Sequence, residues 1–304
     1  MSNNPEVLIN TDLPLPIFIK GKVRDTYMLH DMLLIIASDR ISAFDFVLPG
    51  GIPDKGRVLT QISAFWFKKT EHIIPNHMIE MVNDTSSLYG YFPAASCCDF
   101  PEYLVGRSMI VKRVKRIPVE CVVRGYISGS AWAEYKNQGT VNGVTIPKRL
   151  KESQELPEPI FTPTTKEEAH DRPIGQSEME MMVGKSLSAE LKEKTLAVYR
   201  YAREYALTKG IILADTKMEF GLDDGKLILI DELLTPDSSR FWDTELYKVG
   251  QPQPSYDKQP VRDWLAKSGW NKKPPAPALP PAVIEATTRR YRKAYERLTG
   301  EALP

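Results

Sequence analysis

The chain has few cysteines and no long apolar run, and both shortages limit what kind of protein it is. Its 304 residues include 3 cysteines, and the adjacent pair Cys97-Cys98 fits neither a zinc site nor a disulfide framework. The longest purely apolar run, Met32 to Ala37, is too short to cross a bilayer. The N-terminus lacks the basic and apolar segments of a secretion signal. We therefore expect a reduced, cytoplasmic protein with no membrane partner.

An excess of charge of either sign is also lacking. The formal net charge is +1, and the hydrophobic and charged fractions of 42% and 26% are ordinary for a globular protein. We therefore do not expect a nucleic-acid binder that works through bulk positive charge. The length suits two domains or one large one, with ample residues for a substantial core.

Several common catalytic and nucleotide-binding signatures are missing. Neither standard phosphate-loop fingerprint, GxxxxGK[ST] or GxGxxG, is present. The 4 histidines form no Ser/His/Asp or Cys/His arrangement. His170 is a candidate catalytic residue, but a lone surface histidine usually has no special role.

The most informative stretch that is present covers residues 211–243, ILADTKMEFGLDDGKLILIDELLTPDSSRFWD. Its first part, Ile211 to Phe220, predicts a strand. Side chains alternate between the two faces of a strand, so every second residue points the same way. The charged residues that share a face are Asp215, Lys217 and Glu219.

A turn at 223–225 and a second strand, Lys226 to Ile230, return the chain to the first strand. The second strand ends at Asp231. Because Mg²⁺ prefers carboxylate oxygens and keeps phosphates as its other ligands, we hypothesise that Glu219 and Asp231 hold Mg²⁺ and that Lys217 faces a phosphate. The alternative is the solvated face of an antiparallel pair. We favour the metal site because a continuously apolar strand here ends in acidic residues.

Two loops of the N-terminal third carry polar groups beside predicted strands. Gly21 to Asp25 is a basic glycine turn that can close over phosphates, although such a turn is more often simply solvated. Ser38 to Asp45 follows the buried strand 32–37, a common position for ligand contacts. Its alternative interpretation is a capped turn with a local Asp–Arg pair.

The basic segment 112–116 has two interpretations of similar weight. Lys112 leaves a predicted strand and can approach a nucleotide phosphate, while Glu120 and its neighbours can present backbone groups to a base. The four basic residues fit equally well a solvated edge strand that charge keeps from pairing. We place a domain boundary here, giving domains 1–116 and 117–304.

The segment Arg124 to Ser130, RGYISGS, favours phosphate binding. Its glycines allow backbone N–H groups to approach a ligand, Ser130 adds a hydroxyl, and Arg124 offers a bidentate fork. A helix predicted from Ala131 presents an N-terminus that favours an anion. The alternative is an ordinary strand–turn–helix joint with a serine cap.

The remaining patterns predict helices and loops. Apolar periodicity and flanking Gly or Pro residues predict helices over 57–72, 187–209 and 282–299. Proline content predicts irregular chain over 49–53, 156–163, 251–260 and 274–281.

Five segments together resemble one family, the SAICAR synthetases (phosphoribosylaminoimidazole-succinocarboxamide synthases). They are GKVRDTY at 21–27, SDRISAFD at 38–45, VECVVRGYISGSAW at 119–132, DTKMEFG at 215–221 and IDELLTPDSSRFW at 230–242. Each segment alone is a weak signal, but five in this order are highly specific. The resemblance implies an α+β, ATP-grasp-like two-domain fold with mainly antiparallel sheets and a nucleotide between the domains.

The resemblance also implies a reaction. Members of the family join L-aspartate to the carboxylate of carboxyaminoimidazole ribonucleotide (CAIR), using ATP and Mg²⁺ and releasing ADP and phosphate. The implied partners are therefore these small molecules, with no nucleic acid and with a monomer or small homo-oligomer as the assembly. The alternatives are a small-molecule kinase and a non-catalytic nucleotide sensor.

Matching positions carry implied roles. The residues that cover or contact the nucleotide are Gly21, Lys22, Val23, Arg24, Lys112, Glu120 and Lys217. The residues that hold the ribonucleotide or line its pocket are Asp39, Ser42, Arg124, Ser130, Asp215 and Arg240. The implied metal ligands are Glu219 and Asp231, and the implied catalytic residues are Lys217 and Asp215.

Overall fold

The computed structural model describes residues 7–44, 46–91, 99–166 and 171–304. The predictions for His170 and for Cys97-Cys98 fall outside these residues. Across the described residues, none of the helices is both long and apolar enough to cross a membrane.

Strands make up much of the described chain. In chain order they are β1 (Ile17–Lys20), β2 (Arg24–Leu29), β3 (Met32–Ala37), β4 (Arg40–Ala43), β5 (Phe46–Gly51), β6 (Met78–Met81), β7 (Ser108–Lys112), β8 (Lys115–Arg116), β9 (Val119–Tyr126), β10 (Thr140–Val141), β11 (Val144–Thr145), β12 (Glu155–Phe161), β13 (Thr164–Thr165), β14 (Ile211–Asp223), β15 (Lys226–Ile230) and β16 (Ser239–Asp243).

Helices are fewer and longer. They are α1 (Lys55–Thr70), α2 (Gly129–Gln138), α3 (Gln176–Val183), α4 (Lys185–Thr208), α5 (Gln259–Lys267) and α6 (Pro281–Thr299). Two short 3-10 helices cover Thr85–Tyr91 and Glu102–Leu104. All pairings between named strands are antiparallel in the described residues. The predicted α+β class with mainly antiparallel sheets is therefore confirmed.

The first of two compact units is built from the described residues of Met1–Phe65, His77–Arg113 and Asp257–Pro304. Its five-stranded sheet has the order β1-β2-β3-β7-β6, and β4 and β5 form a separate hairpin. Buried apolar residues from β2, β3 and β7, including Leu34, pack into its core.

The C-terminal segment belongs to this first unit. Val261 and Leu265 of α5 share a buried cluster with Ile41 and Ile52, and Asp54 forms an ion pair with Arg292 of α6. The predicted domain 117–304 had included this segment in the second half of the chain. The segment packs differently because the apolar face of α5 is buried in that cluster. The division at 116/117 stays a prediction for the functional domains.

The second unit comprises Trp66–Asn76 and Val114–Tyr256. Its seven-stranded sheet contains the path β12-β9-β14-β15, with β13 paired to β9 and with β16 and β8 paired to β14. Helix α4 packs on β14 and β9. Tyr199 of α4 donates a hydrogen bond of 2.8 Å to the carbonyl of Leu213, which fixes the helix against the central strand.

Strongly patterned elements match their predictions. Strand β3 has the predicted bounds, and the Asp-Asp-Gly turn joins β14 to β15. Helix α4 ends just before Gly210, whose φ of 70° is a left-handed conformation that glycine adopts easily. Helix α6 is likewise capped by Gly300, with φ of 81°.

Three regions predicted as irregular chain contain regular structure. Residues 156–163 include most of β12, the predicted loops 38–45 and 49–53 contain β4 and the end of β5, and α5 begins at Gln259. Strand β12 lies at the edge of its sheet and pairs with β9 in an irregular register. Proline has no backbone N–H, and an edge strand needs no N–H donor on its open side. Pro157 and Pro159 are therefore compatible with the pairing of β12.

Cys121 should resist thiol reagents in the folded protein. It lies fully buried in β9, opposite Met218 of β14. Burial raises its pKa to about 12, so the reactive thiolate is scarce at neutral pH. Alkylation followed by peptide mapping should find Cys121 unmodified in native protein and modified in denaturant. Rapid modification under native conditions would contradict this burial.

Candidate active site

Strand β14 organises the charged groups of the second unit. Asp215 lies opposite both Arg124 of β9 and Arg240 of β16, and Lys217 lies two residues further along. Opposed residues of an antiparallel pair share a face, as do alternate residues of one strand. The charged residues on this face, together with Lys166, form what we call the charged row: Arg240, Asp215, Arg124, Lys217, Glu120, Lys166 and Glu219.

One end of the charged row is an arginine cluster. Arg124 donates from Nη1 to Oδ2 of Asp215 at 3.1 Å, and Arg240 pairs with the same oxygen. Arg124 also donates from Nε to the hydroxyl of Thr162 at 3.1 Å. Burial lowers the pKa of Arg124, and the charge of Asp215 opposes that shift. Two guanidinium groups share this one carboxylate oxygen, an arrangement that suits an anionic ligand.

The N-terminus of α2 lies beside this cluster. A Cβ added at Gly129 would meet Nη2 of Arg240 and would lie 2.9 Å from its Cζ, so only glycine leaves room for the guanidinium. Ser128 is the N-cap residue, but its side chain makes no capping bond. Its buried hydroxyl has no hydrogen-bond partner among the described residues. Ser130 is exposed in the first turn of α2. The first turn of a helix offers unpaired N–H groups to an anion.

The other end of the charged row alternates in sign. Lys166 donates from Nζ to Glu120 Oε1 at 2.5 Å and contacts Glu219 Oε1 at 2.9 Å. Lys217 donates to the same oxygen of Glu120 at 3.0 Å. Lys166 follows β13, which pairs with β9 opposite Glu120, so its loop delivers the ammonium to the row.

The pKa values at this end follow from burial and neighbouring charge. Burial acts to raise the pKa of Glu120, but Lys217 and Lys166 outweigh it and hold that pKa below its usual value. The pKa of Lys217 is raised, because the charge of Glu120 outweighs the opposing effect of burial. The pKa of Glu219 is raised by burial and by the charge of Asp231.

Asp231 directly follows β15, whose last residue, Ile230, lies opposite Glu219. Its φ of 67° is unusual for a residue other than glycine, and such conformations cluster at functional sites. No group of three or more acidic, His or Cys side chains suited to a metal forms in the part of the chain that the structure describes. The paired carboxylates nevertheless fit a hard divalent cation, since a cation relieves their mutual repulsion.

The remaining residues that were predicted to contact the nucleotide lie in the first unit. Gly21–Val23 joins β1 to β2, and Arg24 is the first residue of β2. Lys112 is the exposed last residue of β7.

Two predicted pocket residues lie at the start of the β4–β5 hairpin. Asp39 is fully buried, accepting hydrogen bonds from the N–H groups of Leu8 and Gly56 and from Arg107. These contacts fix the carboxylate, and the role of Asp39 in the pocket stays a prediction. Arg40 pairs with Asp25, so it does not form with Asp39 the local pair of the alternative interpretation. Ser42 lies in β4 and is half-buried.

Three residues of these arrangements were not anticipated as contributors: Lys166, Ser128 and Arg40. Lys166 follows the proline-rich segment 156–163, and its partner Glu120 is 46 residues away in sequence. Ser128 lies inside the predicted phosphate segment, and the structure makes it the buried N-cap residue of α2, whereas Ser130 is exposed in the first turn. No local pattern of charge or periodicity marked them.

Comparison with known proteins gives one consistent result. The family model described as SAICAR synthetase matches residues 17–277. The phosphoribosylaminoimidazole-succinocarboxamide synthase of Thermodesulfovibrio yellowstonii is 51% identical, over 97% of this chain and 99% of that protein. The solved SAICAR synthase of Saccharomyces cerevisiae complexed with SAICAR is 44% identical with a TM-score of 0.88, over 97% of this chain and 99% of that one. A SAICAR synthetase in complex with ADP is 27% identical with a TM-score of 0.68, over 94% and 99%.

The fold and these matches define an ATP-dependent ligase that acts on small molecules. The chain belongs to the SAICAR synthetase family. This family joins aspartate to CAIR at the expense of ATP in purine biosynthesis, and that is the activity of this chain.

Proposed function

We propose that the two ends of the charged row divide the work of this reaction. The arginine end, with Arg124, Ser130 and Arg240, holds the phosphate of CAIR. Asp215 orients the two arginines. The alternating end, with Glu120, Lys217, Glu219 and Asp231, holds ATP and its metal ion. The observation that carries the proposal is the placement of both groups along one face of β14 and β9.

The chemistry explains why a positive pocket and a phosphate-handling group must be neighbours. The carboxylate of CAIR is a poor electrophile, and phosphorylation by ATP converts it into one. The amine of aspartate then attacks in its deprotonated form, and phosphate leaves. Phosphoryl transfer asks the protein mainly for positioning and neutralisation of charge. Lys217, on the strand that also carries Asp215, is suited to both.

Magnesium is the part of this proposal that depends on the carboxylates. Glu219 and Asp231 would hold the ion, and the strand register supports that assignment, because Asp231 directly follows the residue that lies opposite Glu219. When bound, the ion neutralises phosphate charge. Lys166 and Lys217 keep Glu120 ionised, so Glu120 is available to orient both ammonium groups.

The first unit supplies the other nucleotide contacts that we propose. The loop Gly21–Arg24, including Val23 and the ammonium group of Lys22, covers the ATP phosphates, and Lys112 contacts the nucleotide. We propose a cytoplasmic location and a monomer or small homo-oligomer, in keeping with the absence of strong charge bias and of a membrane-spanning helix among the described residues.

Substitutions at the two ends should separate in their kinetics. Arg240→Met should raise KM for CAIR on the order of 30-fold, because a charged hydrogen bond to phosphate is lost. Its KM for ATP should stay within about twofold of the parent value. Lys217→Met should instead lower kcat, because Lys217 acts on the transferring phosphoryl group. ADP formation is measured with CAIR, ATP and aspartate, omitting each in turn.

Arg200→Met is the matched control. Arg200 is an exposed arginine of α4 that pairs with the exposed carboxylate of Glu158 at 3.8 Å, so its loss should change neither constant. If Arg240→Met raised the two KM values equally, the proposed division of the charged row would be wrong. ADP release without aspartate at the full rate would favour a kinase instead.

A further inference from the structure

Arg40 lies beneath the loop Gly21–Arg24 and binds its backbone. From the start of β4, its guanidinium donates from Nη2 to the carbonyl of Gly21 at 3.0 Å and from Nε to the carbonyl of Lys22 at 3.1 Å. Arg40 is only 6% exposed. It therefore binds the loop carbonyls from the interior of the first unit and not from the solvent side.

The guanidinium of Arg40 is itself fixed in place. It donates from Nη1 to Asp25 Oδ2 at 3.0 Å and from Nη2 to Asp25 Oδ1 at 2.7 Å. Nη1 also donates to the carbonyl of Ile9 at 2.7 Å. A guanidinium has five N–H donors, and each of the five has an acceptor here. Thr11 donates to Asp25 at 2.8 Å, which holds the carboxylate in turn.

The remaining carbonyls of the loop are also engaged by the protein. Both the N–H and the hydroxyl of Ser38 donate to Val23, at 3.0 Å and 2.8 Å. The N–H of Gly21 donates to Arg24 at 2.8 Å and closes the loop. A Cβ at position 21 would lie 2.8 Å from that carbonyl, so the closure needs glycine. All four carbonyls from 21 to 24 thus have donors within the first unit.

The direction of the carbonyls matters for a loop that meets phosphate. Carbonyl oxygens repel an anion, whereas backbone N–H groups and lysine attract it. With its carbonyls bound to Arg40, Ser38 and Gly21, the loop does not turn a carbonyl toward an incoming phosphate without breaking one of these bonds. The contacts therefore favour one loop conformation before ATP arrives.

We infer that Arg40 is a positioning residue for ATP, acting through the carbonyls of Gly21 and Lys22. This inference rests on the proposed function, in which the loop covers the ATP phosphates. Replacing Arg40 by lysine keeps a positive charge beside Asp25 but removes the fork that reaches both carbonyls. The loop then samples other conformations, and only the affinity for ATP falls.

The test compares Arg40→Lys with Arg107→Lys. Arg107 is also a buried arginine of the first unit paired with an aspartate, Asp39 at 2.9 Å, but it does not bind the loop. Arg40→Lys should raise KM for ATP on the order of tenfold and leave KM for CAIR and aspartate within about twofold. Arg107→Lys should lower the melting temperature comparably and leave KM for ATP unchanged.

Two further variants keep the outcome decisive. Ser38→Ala removes one donor to Val23 and should raise KM for ATP by a smaller factor, which tests the inference if Arg40→Lys does not fold.

Lys22→Ala tests the proposed function itself, in which the loop covers the ATP phosphates. If Lys22→Ala raises KM for ATP while Arg40→Lys and Ser38→Ala do not, only the positioning role is wrong. If Lys22→Ala has no effect on KM for ATP, the proposed role of the loop in covering ATP is wrong and the inference about Arg40 falls with it, while the division of the charged row keeps its own test. Equal effects of Arg40→Lys and Arg107→Lys would also overturn the inference.

Discussion

Asp231→Asn should fold normally and lose roughly 100-fold to 1,000-fold in kcat, the loss typical of removing one group that stabilises a developing charge. Asparagine keeps the size of the side chain and tolerates the left-handed φ of 67° found at this position. The change therefore removes a negative charge beside Glu219 with little strain on the backbone. With one carboxylate left, the proposed metal ion loses a ligand. Steady-state turnover and the melting temperature, measured together, separate this loss from unfolding.

Asp224→Asn provides the matched control. Asp224 lies in the turn of the same hairpin, is exposed, and has a left-handed φ of 47°. It shares the backbone constraint and the charge of Asp231 but lies away from the charged row. Its turnover should equal that of the parent protein. Near-parental turnover of Asp231→Asn would remove Asp231 from the proposed metal site.

Gly129→Ala should raise KM for CAIR on the order of tenfold or more, because the new methyl group occupies the space of the Arg240 guanidinium. The guanidinium group of Arg240 is the end of a flexible side chain, so it can move aside and the fold can persist. Once displaced, it no longer pairs with Asp215 or helps to hold phosphate. KM for ATP should change little, since the alternating end of the charged row is untouched.

A second glycine of the same helix controls for backbone strain. Gly139 caps the C-terminus of α2 with φ of 74°, and a Cβ there would meet open space. In both alanine variants the left-handed conformation destabilises the fold by about 1–2 kcal/mol, so both should melt at a lower temperature. Only Gly129→Ala should change KM for CAIR. If Gly139→Ala changed it equally, strain rather than the contact with Arg240 would be responsible.

Local pattern was enough to predict strand β3 and the hairpin of β14 and β15. The run Met32–Ala37 is continuously apolar, and the Asp-Asp-Gly turn is a strong signal between β14 and β15. The alternation of Asp215, Lys217 and Glu219 predicted their common face, and their contacts along the charged row agree with it. These features depend on neighbours in sequence, so they are visible before folding.

The missed features depend on distant partners. Strand β12 contains two prolines and forms because β9 offers it an edge to pair with. Lys166 looks like an ordinary loop lysine until β13 pairs opposite Glu120. A local Asp–Arg pair was the alternative interpretation of the segment 38–45, yet the carboxylate partner of Arg40 is Asp25 on β2. In each case a contact with a residue distant in sequence selects one of several structures that the local sequence allows equally well.

The resemblance supplied what local pattern did not, namely the substrates. Arg124 and Ser130 indicate an anion on physical grounds, and only the resemblance implies that this anion is a ribonucleotide. The burial of Ser128, by contrast, is visible only in the structure. It adds an unpaired hydroxyl beside the proposed phosphate site that the family motif alone did not single out.

The most direct test of the central claim is the Mn²⁺ affinity of the protein with a saturating non-hydrolysable ATP analogue. The signal of free Mn²⁺ in electron paramagnetic resonance reports this affinity, and a sample of the analogue without protein provides the reference. Glu219→Gln and Asp231→Asn should each weaken binding by at least about tenfold, whereas Asp224→Asn should bind as the parent does. Parental affinity in both Glu219→Gln and Asp231→Asn would contradict the claim that these carboxylates hold the metal.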